Sequence, residues 1–141
     1  MGLNKSKNLS SAKKTCDIWF SKYIRLRDAD EYGMCKCITC DTVKHWTEMD
    51  CGHFQSRRYL ATRWDEKNAH AQCQRCNNFQ AGEQYRHGQH IDLRYGDGTA
   101  RFLEGQARLM HKYTKQEVMD LAKYYKQEAE RLIKEKNLYN E

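Results

Sequence analysis

Two pairs of cysteines, with an aspartate, a histidine and an asparagine set among them, could hold two different metal ions. Cys37-Ile-Thr-Cys40 and Cys73-Gln-Arg-Cys76 are CxxC knuckles, and each puts two thiolates on one tight turn at the bite a tetrahedral Zn²⁺ accepts. Four protein thiolates leave no open position for water, so such a site is structural. The stretch between the knuckles is longer than a zinc-ribbon loop, which implies that something is built there. It carries Asp50, a hard oxygen ligand suited to Mg²⁺ or Mn²⁺, and His53; a neutral imidazole with a reference pKa of about 6.5 can activate water near physiological pH. Asn77, directly after the second knuckle, adds a neutral carbonyl oxygen at a position the zinc frame would fix. Two oxygen ligands and a nearby imidazole suffice for metal-assisted hydrolysis of a phosphodiester.

The neighbouring residues sort less cleanly. Cys35 competes with Cys37 for the zinc, but CKC is not the standard knuckle, so it is left outside the site. Cys16 reads as a small core residue. Cys51 lies beside Asp50, although a thiolate favours softer ions than Mg²⁺. Arg57, Arg58 and Arg63 follow His53 closely enough to clamp phosphates as bidentate donors; the alternative is a solvated basic face. Lys5, Lys7, Lys13 and Lys14 would form a cationic arm adding salt-sensitive affinity for nucleic acid. Trp46 and Trp64 are expected to pack near the metal-stabilised centre rather than to stack on bases. Glu83, His87 and His90 fall at i, i+4 and i+7, which permits another metal site, but Gly88 interrupts them and the reading here is a surface cluster.

Elements must position these groups, and proline, absent throughout, cannot punctuate them. Glycine does so at 33, 52, 82, 88, 96, 98 and 105. Cys16, Trp19, Phe20, Tyr23 and Ile24 trace an amphipathic helix, with possible caps at Ser10 and Ser11 and an end before Gly33. The division is a flexible basic arm at 1–14, a helix within 15–33, a zinc-bound core at 34–95 and a helical region at 96–141. From Met34 to about Asn78 the helical period gives way to turns and small strands. Asn78 to about Leu93 could be helical, and a short helix is plausible over Thr99 to Met110. Thr114-Lys115-Gln116-Glu117 has the form of a capping box, and Val118, Leu121, Ala122, Tyr125, Ala129, Leu132 and Ile133 continue one apolar stripe. So long a helix outreaches a small core, so part of its stripe is expected to pack on a second subunit.

Composition bounds the rest. At 141 residues, 39% hydrophobic against 31% charged, the chain can bury one modest core that benefits from a metal. A net charge of +6 favours acidic partners such as nucleic acid. Seven cysteines with no secretory signal and no membrane-length apolar run point to a cytosolic protein with metal-ligating thiols.

The order CITC, DCGH, Asn68, QCQRCN resembles the HNH, or ββα-metal, nuclease motif with its last histidine replaced by Asn77. That resemblance implies a general base at His53, a loop-bracing asparagine at Asn68 and a metal ligand at Asn77. The CxxC, DxxH, CxxCN series is similar to phage endonuclease VII, which makes Asp50 the second ligand. Gly52 departs from the many relatives that place a metal ligand directly before the base. From about Thr15 onward, CGHFQSR, TRWDEKN and QCQRCN resemble the NinG, or Rap, family of phage recombination endonucleases. The implied fold is α+β, a zinc-stapled ββα-metal core flanked by an N-terminal and a long C-terminal helix. The implied activity is structure-selective cleavage of branched DNA, such as Holliday junctions and D-loops, by a homodimer in the bacterial cytoplasm, with other phage recombination proteins as possible partners. The rivals are an HNH nuclease of ordinary duplex DNA and a non-catalytic zinc-stabilised DNA-binding adaptor.

Overall fold

The computed structural model describes residues 8–79 and 81–139, so Lys5 and Lys7 of the expected arm lie outside the described residues. Helix α1 spans Leu9–Asp28 and starts earlier than its apolar period suggests. Asn8 is the cap: its side chain accepts from Ser11 N–H while the Ser11 hydroxyl reaches back to the cap, satisfying two otherwise orphan donors. Lys13 and Lys14 are therefore helical rather than part of a flexible arm, and Ser11 closes the box from inside the helix.

Two antiparallel ribbons follow. Strands β1 (Met34–Lys36) and β2 (Val43–His45) form a hairpin, and β3 (Asp50–His53) pairs with β4 (Ala69–Gln72), with Asp50 opposite Gln72 and His53 opposite Ala69. A single helical turn, α2 (Leu60–Arg63), lies in the connection between them. A π-helical turn at Arg75–Phe79 and a 3₁₀ turn at Ala81–Glu83 lead into α3 (Gln84–Tyr95), then α4 (Thr99–Ala107) and α5 (Lys115–Lys136). Gly88 does not break α3. It lets the helix approach Phe54, whose ring would lie 3.1 Å from any Cβ added there.

The core is the seam between α1 and α5. Cys16, Phe20, Tyr23 and Ile24 on one helix meet Val118, Ala122, Tyr125, Ala129 and Leu132 on the other, all buried; each large apolar side chain contributes about 1.5–3 kcal/mol. The α5 stripe expected to reach a second subunit is thus buried largely within the chain, because α1, at 20 residues, nearly matches the 22 of α5. The Thr114–Glu117 capping box starts α5. At its other end Lys136 Nζ donates to the carbonyls of Leu26, Arg27 and Ala29 at 2.7, 3.3 and 2.6 Å, so the end of α5 caps the end of α1, where the helix's own ladder runs out. Below the seam, Arg27 donates to Ala69 O at 2.9 Å and Asp28 accepts from Ala71 N at 2.8 Å, so side chains of α1 occupy the edge of β4. Among the described residues no helix is long and apolar enough to cross a membrane.

Candidate metal centre and adjoining cleft

The β1–β2 turn presents Cys37 and Cys40, shaped by Cys37 N–H on Thr42 O at 2.8 Å and by the left-handed backbone of Asp41 (φ 65°). Ile38 N–H then bonds to Ala71 O at 3.0 Å, bringing that turn against β4, whose end carries Cys73. The sulfurs of Cys37, Cys40, Cys73 and Cys76 all lie within 4.8 Å of one another. The 3.7 Å between Cys40 and Cys73 is close to the edge of a tetrahedron with Zn–S bonds of about 2.3 Å. Burial, with the neighbouring Cys40 and Cys73, pushes the Cys76 thiol up to about 12, whereas hydrogen bonds from Thr42 help bring Cys40 down to about 6. The four cysteines are suited to a structural metal such as zinc. Cys35 is apart, its thiol donating to Arg25 O at 3.2 Å, and Cys16 is fully buried in the core.

The frame carries the other group of residues with it. Asn77 N–H bonds to Cys73 O at 2.9 Å, and the Asn77 amide then donates to Asp50 at 3.0 Å. Asp50, His53, Asn77, Cys51 and Arg57 line a polar cleft of about 590 Å³ together with Asp17, Ser21 and Arg25 of α1. Gly52 has a local reason: the Cβ of Gln72 would lie only 2.8 Å from a Cβ added at 52. Burial pushes the Cys51 thiol up to about 12, which keeps it protonated and a poor ligand for a hard cation.

His53 packs against Phe20, ring centroids 5.9 Å apart, with Nε2 3.0 Å from Arg63 O. A carbonyl only accepts, so Nε2 carries the proton and Nδ1 is the acceptor. Burial, the largest cause, lowers the imidazole to about 4, so the ring is neutral at physiological pH. Asn68, fully buried, braces the loop after β3: its Oδ1 accepts from Gln55 N at 2.8 Å, and its Nδ2 donates to Gln55 O and Thr62 O at 3.0 and 3.1 Å.

The three arginines named from sequence differ in freedom. Arg63 is paired with Asp17 through two nitrogens, at 3.1 and 2.6 Å, and is only 17% exposed. Arg57 reaches the same carboxylate at 3.3 Å but is 61% exposed, and Arg58 stacks over Tyr59. Trp64 is buried and donates to Asp17 at 3.0 Å, while Trp46 is buried beneath Arg25. His87 is not on the surface: it is fully buried, its Nε2 3.0 Å from His70 Nδ1, and His70 Nε2 is 2.9 Å from the Tyr95 hydroxyl. His90 is half-buried, and among the described residues neither it nor Glu83 joins a metal-ligating cluster. Asp17, Ser21 and Arg25 were missed in the sequence; their i, i+4, i+8 spacing runs beside Cys16, Phe20 and Ile24, a polar line that reads as a solvated face until β3 packs on it.

No curated protein and no solved structure gives a significant match. The family model of the bacteriophage lambda NinG protein matches residues 2–135, a span that takes in both knuckles, the cleft and nearly all of α5, and the chain belongs to the NinG family.

Proposed function

We propose that this protein is a metal-dependent, structure-selective DNA endonuclease of phage recombination with an HNH, or ββα-metal, core similar to endonuclease VII. The observation that carries the reading is the tautomer of His53. With Nε2–H spent on Arg63 O, the acceptor Nδ1 belongs to a ring lining the same cleft as Asp50 and Asn77, where it can take a proton from water. Burial keeps the ring unprotonated, and an arriving anionic phosphate would raise its basicity toward the working pH. Asp50 offers carboxylate oxygens and Asn77 an amide oxygen, a hard donor set that fits Mg²⁺ or Mn²⁺. A cation held there would polarise the phosphate and stabilise the departing oxyanion. Asn68 keeps the loop bearing the carbonyl of Arg63 in place, and Arg57 and Arg58 hold the DNA backbone, with Arg63 supporting them from inside.

Symmetric incision of a two-fold junction needs two such clefts, which favours a homodimer, formed through a surface other than the α5 stripe already covered by α1. The deciding experiment is cleavage of a labelled four-way junction beside its linear arms, with Mg²⁺ or EDTA, by wild type and His53→Ala. Magnesium-dependent cutting of the junction that the variant loses while still binding is the expected result. Equal cutting of the linear arms would assign the protein to ordinary duplex. One contact favours the adaptor reading, because the Asn77–Asp50 hydrogen bond closes that pair without any cation. Tight binding with no cutting under any divalent metal would establish that reading instead.

A further inference from the structure

Arg25 is the cleft cation that sequence reasoning overlooked, and its circumstances differ from those of its neighbours. The guanidinium is fixed twice, Nε on Ser21 O at 3.2 Å and Nη1 on Trp46 O at 3.2 Å, and lies over the Trp46 ring, 5.4 Å from its centroid. Both anchors are neutral carbonyls. Among the described residues Arg25 forms no ion pair, whereas Arg57 and Arg63 share Asp17. It is half-buried and lines the cleft with Asp50 and His53, and burial works against its charge, offset in part by the Asp50 carboxylate. A desolvated cation without a bonded counter-charge is costly to keep in a fold, and an anion entering the cleft removes that cost.

We infer that Arg25 forms an anion subsite in the cleft, where its unspent guanidinium N–H groups hold a non-bridging oxygen of the DNA phosphodiester that His53 and the Asp50–Asn77 pair face. The inference rests on the nuclease reading for its catalytic consequence, but not for the anion contact. A rigidly held guanidinium needs no reorganisation as charge develops on the phosphate, which is the condition for effective electrostatic stabilisation. It would therefore act on turnover more than on binding, in contrast to the exposed Arg57 at the rim.

The test is the salt dependence of junction binding in EDTA, together with single-turnover cutting in Mg²⁺, for wild type, Arg25→Gln and Arg25→Lys, each checked for zinc content and thermal transition. Arg25→Gln is expected to lower the slope of log K against log salt by about one and to slow cutting by about 10²–10³-fold. Arg25→Lys should keep the slope but lose at least about tenfold in rate, because an ammonium cannot hold both carbonyls and still present a planar fork. A folded Arg25→Gln with wild-type slope and rate overturns the inference. If that variant does not fold, wild-type cutting by Arg25→Lys overturns it. A wild-type protein that binds but never cuts would sink the nuclease reading while leaving the slope to decide the anion subsite.

Discussion

β3 and β4 each carry one imidazole, and the two have opposite fates. His53, on β3, opens onto a polar cleft with one nitrogen tied to a backbone carbonyl. His70, on β4, lies opposite Gly52 in the register and is sealed with His87 and Tyr95, fully buried. Burial lowers both His53 and His87, to about 4 and about 3, so a displaced pKa does not tell the two apart. What differs is access and the acceptor left over: His53 offers Nδ1 in a cleft, while His87 Nδ1 is buried without a partner. A perturbed histidine marks a functional site only where something can reach it.

The hardest way to break the comparison is to take away what both regions share. Removing the metal from Cys37, Cys40, Cys73 and Cys76 with a strong chelator should abolish the cooperative thermal transition, since structural zinc contributes on the order of 10 kcal/mol, and cutting should vanish with it. Persistence of both after complete removal of zinc would show that the β3–β4 frame stands alone. Next comes a crossed pair of substitutions. His53→Ala should cost about 10²–10⁴-fold in cutting with little change in Tm. His87→Leu, which leaves His70 Nδ1 unpaired, should cost about 1–3 kcal/mol of stability and leave the rate within a few-fold. Exchange of those two outcomes would assign the chemistry to the sealed cluster.

Asn68→Ala sharpens the contrast from the loop side. Losing three buried hydrogen bonds should destabilise by about 2–4 kcal/mol and lower the cutting rate as the Arg63 carbonyl drifts, measured by urea unfolding beside single-turnover kinetics. The smallest effect is on pH. Burial holds His87 at about 3, and burial with repulsion from His87 holds His70 well below its ordinary value, whereas the unfolded chain takes up those protons near 6.5. Between about pH 6.5 and 3 the unfolded state binds more protons, so stability falls as pH falls, by up to about 1.4 kcal/mol per unit for each histidine. Any metal held by the four cysteines would also be lost in acid, so the informative quantity is the difference from His87→Leu, which should show a shallower decline between pH 7 and 5.

Much of the candidate site's layout was legible because its residues are local. A CxxC spacing fixes two sulfurs on one turn wherever it occurs, and the Asn77 that follows inherits its place from Cys73. Asp50 and His53 share one short strand, so their proximity needed no tertiary information. Arg57, Arg58 and Arg63 show the limit of such reasoning: read in series they look equivalent, yet Asp17, far away in the chain, binds two of them and not the third. His87 was misplaced for a similar reason. The packing of Gly88 and Ile91 on Phe54 and the contact of His87 with His70 turn that face of α3 inward. The first helix was recognised by its apolar period, but not its start, which Asn8 sets.

The grip of Lys136 on the last carbonyls of α1 bears on the order of events during synthesis. Contacts so remote in sequence must meet their loop-closure cost before they stabilise anything, and a ribosome releases residue 136 long after residue 29. The first helix emerges early but cannot bury its apolar stripe, or have its end satisfied, until the final helix arrives. In a refolding pulse, amides of α1 should gain protection together with those of α5 and no sooner than the cysteine turns in the presence of zinc; protection of α1 alone would contradict this order. The wall of the cleft is thus made first and set last, so a partly synthesised chain has no finished cleft.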